Sequence, residues 1–289
     1  MALLAWAMMT VGAFVRASES GLGCPDWPEC HGQLVVGGHH AMIEEIHRWV
    51  GTVLVIGVVG LALVILRRYR RERRLVRPTF WMLGFLALQV VLGGVTVLLK
   101  NVSWTVVAHY GGAALLIASI VLVAVRLEFP SVHPPQRDSL SRAIDWLVIL
   151  SYGLLLAGST LANTDSDNVC GHTFPLCAGT LTPSVNHEVV INLTHRLWAG
   201  AMLVFAMWVF WRSRRERASV APIRIAASAC AALFVVQAGL GIVDAATGGG
   251  TAIDVVHSSV ASFTWLVLAT LLALNRTLSI SRPAAPRDA

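Results

Sequence analysis

Four histidines and one glutamate are the residues of this chain best suited to chemistry in an apolar setting. His47 in IHRWVG and His195 in THRLWAG lie 148 residues apart, and His109 in VVAHYGG and His257 in DVVHSSV repeat the same interval. Gln89 in LQVVLGG and Gln237 in VVQAGLG repeat it once more. All four histidines fall near the starts of long apolar runs, where ionisable groups are costly and tend to be functional. A neutral imidazole avoids the cost of burying charge and is a good metal ligand. Each half of the chain offers one histidine from each of two helices. Axial ligation of a haem iron asks for imidazoles that approach one plane from opposite sides. Core histidines satisfied by hydrogen bonds are the alternative, and two pairs at one offset favour the cofactor.

The halves differ at an informative place. Glu44 stands three residues before His47 and shares its helix face, whereas the position 148 residues on is Asn192. A carboxylate in one half only suggests divided labour: reaction in the first half, a structural or electron-relay haem in the second. A favourable charge near a helix N-terminus is the simpler account of Glu44. Glu45 is expected to face elsewhere. Arg48 and Arg196 each follow a histidine and suit either haem propionates or anchorage at the membrane interface. Gly51, Gly93, Gly94, Gly111, Gly112, Gly200, Gly239 and Gly241 leave room for a flat macrocycle or for close helix approach.

The elements that must position these residues are membrane spans. The 289 residues are 56% hydrophobic and 13% charged, with mean hydropathy +0.68, against roughly a quarter charged in soluble domains. Apolar runs of spanning length predict eight helices near 1–16, 43–66, 79–99, 103–126, 142–162, 187–211, 221–245 and 252–274. The first run lacks a basic leader and no small-residue cleavage site follows it, so it reads as a helix rather than a signal peptide. From these starts His47 lies about 4 residues into its helix and His109 about 6, at depths of roughly 6–9 Å.

The formal charge of +6 does not point to nucleic acid. Arg67, Arg68, Arg70, Arg71, Arg73, Arg74 and Arg77 form one cluster, and Arg212, Arg214, Arg215 and Arg217 another. Both follow apolar runs, as cytoplasmic loops do. Segments 17–42, 163–186 and 246–251 contain no Lys or Arg. They are expected outside, with both termini cytoplasmic. The two long outer loops hold Cys24 and Cys30 in CPDWPEC and Cys170 and Cys177 in CGHTFPLC. One disulfide per loop suits an oxidising compartment. A metal site is the competing reading, because His31 and His172 are close by. Cys230, inside an apolar run, reads as packing.

The offset shrinks slightly in the outer loops, to 146 between Cys24 and Cys170 and 147 between Cys30 and Cys177. A duplicated four-helix unit explains this pattern. Four is even, so both copies cross in the same sense, and a pseudo-two-fold axis along the membrane normal is expected. The fold class is therefore an all-α integral membrane protein of two tandem four-helix bundles. The divisions are 1–126, a cytoplasmic linker 127–141, 142–276, and a flexible cytoplasmic tail 277–289.

Together GAFVRASESGLGCPDWPECHG, EEIHRWVG, LQVVLGGVTV, VVAHYGG, NLTHRLWAG and DVVHSSVAS resemble the haem A synthase family, in order and over nearly the whole chain. Less sequence precedes GAFVR than the family leads one to expect. The resemblance implies an oxidoreductase of the bacterial plasma membrane, or an equivalent inner membrane, that converts haem O to haem A. The implied chemistry is successive oxygenation of the methyl group at C8, through a hydroxymethyl and a gem-diol to the formyl group. By the resemblance, His195 and His257 hold haem b, His47 and His109 lie at the haem O site, and Glu44 is needed for the reaction. It also implicates Cys24 and Cys30 in function, as a disulfide passing reducing equivalents, and makes Cys170–Cys177 a matching structural disulfide. Implied partners are membrane lipid, haem O synthase and an electron donor; an oligomer is compatible with all of this. A transmembrane di-haem b-type electron carrier needs the same histidines but gives no reason for the Glu44/Asn192 difference. A transporter with parallel repeats accounts poorly for a buried polar set made almost wholly of histidine.

Overall fold

Continuous apolar sequence leaves the backbone one economical solution in lipid, because every N–H and C=O must then be paired within its own segment. The computed structural model describes residues 1–30, 32, 37–130, 137–164, 166–181 and 183–278. Among these are eight α-helices and no β-strand: α1 (Ala2–Ala17), α2 (His39–Arg68), α3 (Arg73–Leu98), α4 (Ser103–Glu128), α5 (Ser139–Ala162), α6 (His187–Glu216), α7 (Ala221–Thr247) and α8 (Thr251–Thr277). Seven of them, α2 to α8, are long and apolar enough to cross a membrane. The sequence predicts eight spans; α1 is apolar but has 16 residues, about 24 Å against a hydrocarbon thickness of about 30 Å.

Apolar helix side chains turned outward identify the solvent. Ile56, Trp81, Val204 and Ile225 are between 67% and 70% exposed, an apolar belt that water would not tolerate on this scale. The chain is a multi-pass membrane protein. Several helices outrun their apolar cores: α2 starts at His39 rather than near 43, α3 at Arg73 rather than near 79, and α6 ends at Glu216 rather than near 211. Apolarity marks the membrane boundary, not the end of the hydrogen-bonded coil. At the end of α6, Arg212 lies over Trp208 at 4.9 Å and Arg215 over Trp211 at 3.8 Å. These guanidiniums reach out from the interface along aromatic surface.

Side-chain caps and ion pairs hold the connections. Asp138 Oδ1 accepts the Ser141 N–H at 2.8 Å and so caps α5, while both its oxygens take the buried Arg217 guanidinium at 2.9 and 2.8 Å. Asn186 caps α6 by accepting from Val189 N–H at 2.8 Å. Gly248 closes α7 in the left-handed conformation, φ 79°.

Within the first half, α1 packs on α2, α2 on α3, α3 on α4, and α4 back on α1. Within the second, α5 packs on α6, α6 on α7, α7 on α8, and α8 back on α5. Between the halves α8 meets α1 and α4, and α4 meets α5. One core, including Val58, Met82, Ile117, Ile144, Ile223 and Leu268, runs through this centre. Polar pins cross it: Trp6 Nε1 donates to the Ser259 carbonyl at 3.0 Å, and Trp265 Nε1 to that of Ala114 at 2.7 Å.

Candidate functional site

The four histidines occupy matched registers. His47 and His195 are the ninth residues of α2 and α6; His109 and His257 are the seventh of α4 and α8. Counted along the helices, His47 lies about 12 Å from the start of α2 and His109 about 9 Å from the start of α4. Helices α2 and α4 do not pack on one another, nor do α6 and α8. Each pair is therefore diagonal in its ring of four.

Every ring rests on a glycine of the intervening helix. A Cβ would stand 3.0 Å from His47 Cε1 at Gly12 and 3.0 Å from His195 Cε1 at Gly158. At Gly93 it would be 3.3 Å from His109 Cε1, and at Gly241 3.2 Å from His257 Cε1. Any larger residue would push the imidazole out of its seat. All four Nδ1 atoms are buried without a hydrogen-bond partner, although each histidine keeps part of its surface open. At His257 the other nitrogen is engaged: Gln237 Nε2 lies 2.9 Å from His257 Nε2 and 3.2 Å from the His257 carbonyl. A carbonyl can only accept, so the amide nitrogen is the donor, and His257 Nε2 presents its lone pair.

Of the glycines singled out in the sequence, Gly93 and Gly241 serve the histidines. Gly94 takes Trp27, Gly112 takes Gln89, Gly111 takes Leu156 and Tyr152, and Gly51 takes Met8. Nothing lies within 4 Å of a Cβ at Gly200 or Gly239. Gly12 and Gly158 escaped the sequence reading. Their offset of 146, the same as that of Cys24 and Cys170, was the signal that could have found them.

Glu44 is buried and fully engaged. Its Oε2 accepts the Cys24 N–H at 2.9 Å and its Oε1 accepts Arg48 at 2.8 Å. Arg48 also donates to the carbonyls of Asp26 (2.9 Å), Pro28 (3.2 Å) and Glu29 (2.7 Å). In the second half, Asn192 Nδ2 donates to the carbonyls of Ser166 (2.8 Å) and Asp167 (3.1 Å), while Arg196 donates to those of Thr173 (3.0 Å) and Leu176 (3.2 Å). Both arginines thus tie a cysteine loop to the helix that bears a histidine.

The cysteines are joined as Cys24–Cys30 and Cys170–Cys177, with S–S distances of 2.01 and 2.04 Å, which decides between disulfides and a metal site for these pairs. His31 lies outside the described residues, and His172 rests on the turn at Gly248 rather than between the sulfurs. Cys230 is free and buried, as packing requires. Glu45 is found at the disulfide: a carboxylate oxygen lies within 4.8 Å of the sulfurs of Cys24 and Cys30. The position 148 on is Leu193, which packs on the Cys170–Cys177 disulfide.

The model of the cytochrome oxidase assembly protein family (COX15-CtaA) matches residues 1–46 and 39–269. The chain belongs to this family. It is 28% identical over 283 residues to the heme A synthase of Shouchella clausii, covering 91% of this chain and 90% of that protein. The heme A synthase of Symbiobacterium thermophilum is 30% identical over 215 residues, 71% of this chain and 70% of the relative. That of Bacillus pumilus is 31% identical over 214 residues, at 69% and 67%. Family membership makes haem the chemistry to which the histidine pairs are to be related.

Proposed function

We propose that this protein is a haem A synthase, an oxidoreductase that converts the C8 methyl group of haem O to a formyl group. The observation that carries the proposal is the set of four imidazoles, each on a glycine seat and paired diagonally in a four-helix ring. The residues fit the group. Diagonal histidines with glycine-lined flanks are suited to grip a flat iron macrocycle between them. In this proposal His195 and His257 hold haem b in the second half, while His47 and His109 receive haem O in the first. The closed ring of contacts in each half supports two tandem bundles related by a pseudo-two-fold axis along the membrane normal.

Haem iron, once bound, supplies the oxidising power; the chain's residues supply placement and control of charge. The glycine seats set where each imidazole stands. Glu44 holds the Cys24 loop to α2 and neutralises Arg48 beside His47. Both carboxylate oxygens have partners, so Glu44 acts in this proposal by positioning the first-half site. Asn192 anchors its loop by a different, uncharged set of bonds, donating to the Ser166 and Asp167 carbonyls, which fits a site that only keeps its haem. The arginine clusters at 67–77 and 212–217 favour a cytoplasmic position for those turns, and in this proposal the disulfide loops lie outside. Haem O synthase and an electron donor are the proposed partners.

Pigment extraction tests the assignment. Cells lacking the chain should accumulate haem O and contain no haem A. Glu44→Ala should retain haem b in the second half while conversion stops. Haem B alone in the purified protein, with normal haem A in cells lacking the chain, would overturn the proposal in favour of an electron carrier.

A further inference from the structure

Trp27 stands at the tip of the Cys24–Cys30 loop, and its indole lies on the backbone of α3. A Cβ at Gly94 would stand 3.1 Å from Trp27 Cδ2, 3.2 Å from Cε3 and 3.4 Å from Cε2. These are atoms of the rigid ring system, so a side chain at position 94 would have to displace the indole bodily. Gly94 adjoins Gly93, on which the His109 ring rests. Trp27 and His109 therefore lean on successive residues of one helical turn.

The loop backbone on either side of the indole is fixed to α2. Arg48, next to His47, holds the carbonyls of Asp26, Pro28 and Glu29, the residues on either side of Trp27, and is itself held by Glu44. The loop thus bridges α2 and α3 at the outer end of the first ring, with Trp27 still 42% exposed. The second half is built differently. Phe174, which precedes Pro175 as Trp27 precedes Pro28, has the Arg196 guanidinium 5.8 Å from its ring centroid. The position 148 after Gly94 is Ile242, which leaves no notch for an aromatic ring.

We infer that Trp27 is a substrate-retaining residue of the first half: its indole forms the outer wall of the site that receives the tetrapyrrole substrate, offering an aromatic face to a flat apolar ligand. The inference rests on the proposed occupation of the first half by haem O. A site that turns its ligand over must admit and release it, and a wall made from one loop aromatic seated on a glycine notch is separable from the axial ligands. The second half, which keeps its haem, has Ile242 where the notch would be.

The test uses the full-length protein in detergent, loaded with haem O, with release followed by transfer to a haem-scavenging protein. Haem b in the second half serves as control in the same sample and reports folding. Trp27→Ala, which removes the wall, and Gly94→Ile, which ejects it without touching the loop anchors, should each speed haem O release about tenfold, the scale of one aromatic contact and its burial. Trp27→Phe should fall between these and the unaltered protein, and haem b release should not change. Unaltered haem O release in both Trp27→Ala and Gly94→Ile, with haem O still bound through His47 and His109, would overturn the inference and leave the proposed function standing. Failure of the unaltered protein to take up haem O in the first half would overturn the proposed function and the wall together.

Discussion

Gly158→Ala puts the glycine seats to a direct test. The new Cβ would stand 3.0 Å from His195 Cε1, where two carbons at rest keep about 3.5–4.0 Å. The imidazole must therefore move by roughly 0.5–1 Å, into a ring of helices that packs it from several sides. Overpacking of this kind costs about 1–3 kcal/mol. An alanine in a helix interior also returns about 1 kcal/mol over glycine, so the net change in stability is small and uninformative. The two effects part company in haem binding, because helix propensity does not depend on the ligand whereas ring displacement does. Affinity for haem b should fall by about fivefold to a hundredfold, the equivalent of 1–3 kcal/mol. Titration of haem-depleted protein with haem b, followed by reduced-minus-oxidised absorbance, measures it. Gly200→Ala is the control: it lies on α6, the helix that bears His195, with nothing within 4 Å of its Cβ. It should leave haem binding intact and hold or raise the melting temperature. Equal haem affinity in Gly158→Ala and Gly200→Ala would refute the idea that glycine seats position the axial ligands.

Two further outcomes follow from the same geometry. Arg48→Ala removes the donor that holds three carbonyls of the first loop, so mild reductant should open Cys24–Cys30 several-fold faster, read by thiol labelling, while Cys170–Cys177 keeps its rate; Arg196→Ala should reverse the pattern. Gln237→Met removes the amide that competes for His257 Nε2, and haem b affinity should rise by about twofold to tenfold, the worth of one net hydrogen bond; weaker binding would show that the glutamine supports the ligand instead.

How much of this was legible in the sequence depends on the range of the interaction concerned. His47, His109, His195 and His257 were found from an interval that needs no structure, and the helices from runs of apolar residues. The disulfides were one of two open readings, because spacing alone does not say whether two cysteines bond to each other or share a metal with a nearby histidine. Arg48 and Arg196 were expected at propionates or at the interface; they hold loop carbonyls, a role set by how residues 24–30 and 170–177 fold back over α2 and α6. Glu45 was expected to face elsewhere, and the same folding back brings it to Cys24 and Cys30. Trp27 carried no periodic signal, since an aromatic in a loop between helices has no preferred partner until α3 offers it Gly94.

By itself the sequence determined eight helical segments, the order in which they run, and the place of each of the four histidines near the start of its helix. Those properties are local, because lipid forces each apolar run to pair its own backbone and a helix advances a constant distance per residue. Only the tertiary structure decided which glycine seats which histidine, what the two carboxylates of Glu44 and Glu45 touch, and where Trp27 comes to rest. Each of those contacts joins residues from different segments, and it depends on how each helix is turned about its axis, where one residue of slip rotates a side chain by about 100°.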